Sequence, residues 1–135
     1  MPTFEDAVAD AAEAGGALRG LAHATRVIGD PPVLYDVLGS LWGAAASFEQ
    51  SLHQLAAFYD APGRTGAHVG GDVRSGRMAS FEISWELHRA AEILRHVTGA
   101  LHRAHEMEAE LSYERVDLSA PRVGHQPAPR NGLSL

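Results

Sequence analysis

The 135-residue sequence contains no cysteine and no lysine, and all eleven of its basic residues are arginine. The absence of cysteine excludes disulfide bonds, thiolate nucleophiles and cysteine-ligated zinc. The absence of lysine excludes a Schiff-base enzyme and a P-loop nucleotide site, because both depend on a lysine side chain. No apolar run approaches the roughly 20 residues that a membrane span requires. We therefore expect a protein without a membrane segment.

The first residues indicate the location of the protein, and its net charge indicates which partners it does not bind. Residues 1–6 have no cationic stretch followed by an apolar block, so we expect no signal peptide of the usual kind and a cytoplasmic location. The formal net charge is -6. Because nucleic-acid affinity comes mainly from neutralised phosphates, this charge argues against general nucleic-acid binding.

Apolar residues recur at steps of three and four in three segments, which predicts three amphipathic helices. The first segment runs from Phe4 to about Ile28, and its face is mostly Ala and Gly. The second runs from about Pro32 to Tyr59, with predicted core residues Leu34, Val37, Leu41, Ala44, Ala45, Phe48, Leu52, Leu55 and Tyr59. The third begins between Asp72 and Ser80 and ends near Arg115, with predicted core residues Ile83, Leu87, Ala90, Leu94, Val97, Leu101, Ala104 and Leu111.

The segments between the helices set the fold class. Residues 29–32 contain a Gly and two Pro, and residues 60–71 form a Gly-rich loop without apolar periodicity. Residues 118–135 are rich in Pro and Gly and poor in apolar side chains. We predict an all-α fold, namely an antiparallel three-helix bundle over residues 1–117 with a long third helix, followed by a disordered C-terminal tail over residues 118–135.

A second stripe on the third helix, turned away from its predicted core, contains Phe81, Trp85 and Arg89. Burying such aromatic residues requires a surface, which the first helix, a second copy of the chain or another helical protein can supply. The leading hypothesis is a non-enzymatic helical interaction or scaffolding protein, a homo-oligomer or partner of another helical protein, with Trp42 as a further interface residue. An Arg and aromatic helix face can also stack on bases, so a nucleic-acid accessory protein is an alternative.

The histidine and serine residues offer little support for metal binding or for nucleophilic catalysis. His88, Glu92 and His96 lie one turn apart on the third helix, and Glu49 and His53 do so on the second. Such spacing can place ligands on a common cation, but pairs of this kind also stabilise exposed helices. No serine lies in a nucleophile-elbow context. We predict no catalytic residue, no metal site and no cofactor.

Tyr113, Glu114, Arg115, Val116 and Asp117 have the form Tyr-x-x-x-Asp at the end of the third helix. This motif resembles the C-terminal signal of actinobacterial type VII secretion substrates, which are small helical hairpins. Trp42 is followed directly by Gly43, so the Trp-x-Gly turn of that family is absent. The resemblance implies a heterodimeric helical partner and export by a route without a signal peptide, with Tyr113 and Asp117 as recognition residues.

Overall fold

The computed structural model describes residues 1–114, and this part of the chain is helical, with one isolated bridge between Val69 and Asp72 and no β-strand. The helices are α1 (Ala7–Ala24), α2 (Val33–Tyr59), the short α3 (Pro62–Thr65) and α4 (Val73–Glu108). The all-α prediction is confirmed for these residues. The predicted tail, residues 118–135, lies outside them.

Helix α1 is shorter than the apolar pattern predicts because a capping residue fixes where it begins. The Asp6 carboxylate accepts hydrogen bonds from the backbone N–H groups of Val8 and Ala9, both at 3.0 Å. An aspartate in this position satisfies the free N–H groups of the first turn. Phe4, the first residue of the predicted helix, instead has a positive φ of 63°. The helix therefore starts three residues later than predicted.

Helices α2 and α4 pack against each other in an antiparallel hairpin. At the start of α2, the Tyr35 ring stacks on His105 of the last turns of α4, with ring centroids 4.2 Å apart. At the other end, the Ser80 hydroxyl donates a 2.6 Å hydrogen bond to the Tyr59 carbonyl. The 36 residues of α4 span about 54 Å, against about 40 Å for the 27 residues of α2.

The connection between the two helices crosses the first turns of α4 at a glycine. A Cβ atom at Gly76 would lie 2.3 Å from the Ala67 carbonyl oxygen and 2.3 Å from the His68 Cα. The residue must therefore be glycine for the loop to approach this closely. Asp72 caps α4 by accepting a 3.1 Å hydrogen bond from the Arg74 N–H.

The fully buried positions of the contact between α2 and α4 are occupied by small residues. The buried residues of the two helices are Ala45, Ala56, Gly76, Ser80, Ser84 and Ala91. Among residues 1–114, no large side chain is fully buried. Several predicted core residues are instead substantially exposed, namely Phe48, Leu55, Ile83, Val97 and Leu111. Two helices alone cover only a narrow part of each apolar stripe, which explains the difference.

Helix α1 contributes nothing to this core. It has no buried residue, and the extensive helix contacts of the described residues join α4 to α2 and to α3. The predicted three-helix packing is therefore not confirmed, and the described residues form a helical hairpin with α1 apart from it. The Ala and Gly face of α1 offers little apolar area per residue, so packing it against the hairpin gains little free energy. No helix among residues 1–114 is long and apolar enough to cross a bilayer.

Candidate functional site

An aromatic stripe runs along the exposed side of α4 and consists of Met78, Phe81, Trp85 and Arg89. The first three are 58%, 49% and 60% exposed. The Arg89 guanidinium carbon lies 5.6 Å from the centre of the Trp85 ring, within the range of a cation–π interaction. The structure thus brings three of the predicted interface residues together on one face, and α1 does not cover them.

Trp42, the fourth predicted interface residue, lies away from the aromatic stripe and within the contact between α2 and α4. Its ring centroid is 4.4 Å from that of His102 and 6.0 Å from that of His105. The Nε2 atom of His102 lies 3.3 Å from Glu106, whereas its buried Nδ1 has no hydrogen-bond partner. Trp42 therefore contributes to packing inside the hairpin.

A second surface, here called the apolar face, lies on one side of the hairpin and consists of Val37, Phe48 and Leu55 of α2 with Ile83 and Val97 of α4. Phe48 and Leu55 are 54% and 51% exposed, and Ile83 and Val97 are each 42% exposed. Along residues 37–55 and 83–104, the positions at steps of three and four that share this face are uncharged except for Glu86, which lies at its edge three residues after Ile83. The sequence pattern identified these residues but assigned them to a closed core.

A polar cluster lies on the opposite side of the hairpin, near the end where the chain turns from α2 to α4. The Ser84 hydroxyl donates a hydrogen bond to one carboxylate oxygen of Asp60, and the other oxygen lies 3.3 Å from His88 Nε2. His88 Nδ1 in turn lies 3.3 Å from His53 Nδ1. The hydrogen bond from Ser84, followed by that with His88, lowers the pKa of Asp60 from its ordinary value.

The connections of the cluster determine which chemistry it can perform. The Ser84 hydroxyl donates its hydrogen bond to the Asp60 carboxylate and, among the described residues, makes none with a histidine. The arrangement therefore does not activate Ser84 as a nucleophile. Within residues 1–114, no three His, Asp or Glu side chains are grouped as a preformed metal site. What the cluster does offer is the pair His53 and His88, here called the histidine pair, whose Nδ1 atoms face each other.

The histidine pair is the feature that sequence reasoning missed. The spacing pairs Glu49 with His53 and His88 with Glu92 and His96, each within one helix. In the structure, Glu92 forms an ion pair with Arg95 at 2.5 Å. His96 Nε2 also lies 3.9 Å from the Glu92 carboxylate, as the spacing predicts. The contact between His53 and His88 joins residues 35 positions apart, and only the register of the two helices reveals it.

The secretion-like motif is only partly within the described residues. Tyr113 is 41% exposed, and its hydroxyl donates a hydrogen bond to the Glu108 carboxylate, which raises the pKa of Tyr113 above its ordinary value. Asp117, the second residue of the motif, lies outside residues 1–114. The structure therefore places Tyr113 beside the end of α4 and does not test the pairing of the two residues.

Comparison with known protein families, with curated proteins and with solved structures finds no match to this chain. What the protein does must therefore be inferred from its own residues and their geometry.

Proposed function

We propose that the chain is a non-enzymatic helical interaction protein that self-associates through the apolar face of the α2 and α4 hairpin. One observation carries this proposal, namely that no large side chain is fully buried among residues 1–114. A stable helical domain needs a hydrophobic core, and the burial of apolar surface is the dominant favourable contribution to folding. The hairpin has the side chains for such a core but lacks the second layer that would cover them.

A second copy of the chain is the occupant that the apolar face fits best. Its own apolar face has the same length and the same apolar character, so a two-fold axis would pair the patch with itself, each residue of one chain contacting a different residue of the other and the reverse. The two hairpins would then form a four-helix arrangement with the large side chains inside. The net charge of -6 is carried by other surfaces of the chain, so it does not have to be buried in the interface.

Helix α1 is the alternative occupant within the same chain, and it fits less well. Its 18 residues span about 27 Å, which matches the length of the apolar face along α2 from Val37 to Leu55, so the composition of α1 decides the comparison. The face that α1 would present consists mainly of Ala and Gly, which bury little apolar area. We therefore assign the apolar face to a second copy of the chain.

Light scattering on the full-length chain tests this proposal. Each chain has a mass of 14.4 kDa, and we expect a species of twice that mass at micromolar concentrations. A monodisperse single-chain species, with α1 seated on the apolar face in a fluorescence energy-transfer measurement, would contradict it.

The aromatic stripe is a second candidate contact surface, and it favours a different interface. Glu82 and Glu86 lie beside Phe81 and Trp85 on α4, so this stripe is more polar than the apolar face and belongs to one helix only. Interfaces are enriched in aromatic residues and Arg, which supports a contact with another helical protein here. If this stripe holds the dimer together, Trp85→Ala will weaken it and Phe48→Ala will not.

A second candidate function is that of a type VII secretion substrate. The antiparallel hairpin and the position of Tyr113 after α4 support it, because the resemblance implies a helical hairpin whose signal follows its last helix. Under this proposal the apolar face binds a different helical chain. Export assays in an actinobacterial host would show secretion that Tyr113→Ala abolishes, and an unchanged level of secretion would exclude Tyr113 as a signal residue.

A further inference from the structure

We propose that His53 and His88 form a binding site for a divalent transition-metal ion of the class that imidazole ligates, represented by Zn²⁺. Their Nδ1 atoms lie 3.3 Å apart across the contact between α2 and α4. The ring centroids are 5.5 Å apart, so each ring presents its Nδ1 edge to the other and the two rings do not stack. Two neutral imidazoles arranged in this way offer two lone pairs to the same place.

The distance between the two nitrogen atoms fits a shared cation. Zinc is bound by histidine nitrogens at about 2.0–2.1 Å in tetrahedral geometry, which places two such nitrogens roughly 3.3 Å from each other. The 3.3 Å between the two Nδ1 atoms is therefore the spacing that two histidine ligands of one zinc ion have.

Asp60 provides the outer support that histidine ligands usually have. It lies 3.3 Å from Nε2 of His88, the nitrogen on the far side of the ring from His53. A carboxylate in this position accepts a hydrogen bond from Nε2–H, which fixes the tautomer whose Nδ1 is unprotonated and free to bind a metal ion. Ser84 fixes the other oxygen of Asp60 by donating a hydrogen bond to it.

The remaining coordination positions are open to water. The side chains of His88 and Asp60 are 45% and 50% exposed, and no third His, Asp or Glu in residues 1–114 completes the site. The site thus offers two protein ligands, one fewer than the open zinc sites of enzymes, and leaves the other positions to solvent. Because it lies on the opposite side of the hairpin from the apolar face, metal binding and self-association are separable.

Calorimetric titration of the untagged, chelator-treated full-length chain with ZnCl₂ tests the proposal. We expect about one ion per chain, as two ligands and water around one ion require. Asp60→Asn should weaken binding by about 10–100-fold, the usual effect of losing an outer partner of a ligand. His53→Ala and His88→Ala should each weaken it by more than that.

Matched controls separate this site from adventitious binding to other histidines. His96→Ala removes a more exposed histidine of the same helix, with 77% side-chain exposure, and should leave binding unchanged. Since the two ligands belong to different helices, Zn²⁺ should also raise the Tm of the wild type and of His96→Ala but not of His53→Ala. The absence of binding by the wild type, or binding that survives both His53→Ala and His88→Ala, would overturn the proposal. Loss of binding in His96→Ala alone would also overturn it.

Discussion

Replacing Phe48 by alanine should weaken the proposed dimer more than any change on the outer surface of the hairpin. Phe48 is 54% exposed on the apolar face, and a Phe side chain can bury about 150–250 Å². The exposed part is therefore about 100 Å², and at about 25 cal/mol per Å² its burial stabilises the dimer by about 2.5 kcal/mol for each chain. Two chains contribute about 5 kcal/mol, and each 1.4 kcal/mol is a tenfold change, so the Kd should rise about a thousandfold.

Phe81 provides the matched control for this substitution. It is also a phenylalanine and is 49% exposed, so it resembles Phe48 in size and exposure. It precedes Ile83 of the apolar face by two residues, which is about 200° around α4, and therefore lies away from that face. We expect Phe81→Ala to leave the Kd of the dimer unchanged.

Sedimentation equilibrium over a concentration series measures both variants. Circular dichroism on the same samples establishes that each keeps its helix content. Equal dimer affinities for Phe48→Ala and the wild type, or an equal loss in Phe48→Ala and Phe81→Ala, would refute the assignment of the interface to the apolar face.

Four further substitutions, one of them a control, test the packing of the hairpin and local interactions of the described helices. Gly76→Ala should lower the free energy of unfolding by about 1–3 kcal/mol, because its Cβ would lie 2.3 Å from the backbone of the loop. Gly43→Ala is the control and should raise the free energy of unfolding by about 0.5–1 kcal/mol, because no atom lies within 4 Å of the added Cβ. Urea unfolding measures both variants, and the reverse order of stability would contradict the packing. Ser84→Ala should raise the pKa of Asp60 toward 3.8 in a carboxyl NMR titration, and an unchanged value would show that Ser84 does not lower it. Because this pKa is lowered in the folded chain, the stability it contributes is present above about pH 3.8 and is lost as the pH falls below that value. Asp6→Ala should cost α1 about 0.5–2 kcal/mol through loss of its cap, seen as reduced helix content in circular dichroism, and full retention of helix would contradict the capping role.

The boundaries of α2 could be predicted because local chemistry sets them. The prediction for α2 began at Pro32 and ended at Tyr59, and the observed helix is Val33–Tyr59. Proline at the start and a Gly-rich loop after the end limit this helix whatever it packs against. The end of α4 was placed too late, at about Arg115 rather than at Glu108, since the acidic residues there carry no strong stop signal.

The arrangement of the helices could not be predicted from periodicity, because a stripe of apolar residues does not specify what covers it. Phe48 and Ile83 have the spacing of core residues, yet each is substantially exposed in the structure. The histidine pair depends on the register of α2 against α4, which is set by small residues such as Ala45 and Ser84. These residues carry little apolar signal, so the sequence pattern could not align the two helices.

The small residues between α2 and α4 link the folding of one chain to the amount of protein present. Ala, Gly and Ser side chains remove little apolar surface from water, so a lone hairpin gains only a small part of the free energy that a domain of this size needs. If docking of a second chain supplies the rest, unfolding and dissociation become one equilibrium governed by mass action. Dilution alone would then melt the protein, and its thermal midpoint would climb with each increase in chain concentration.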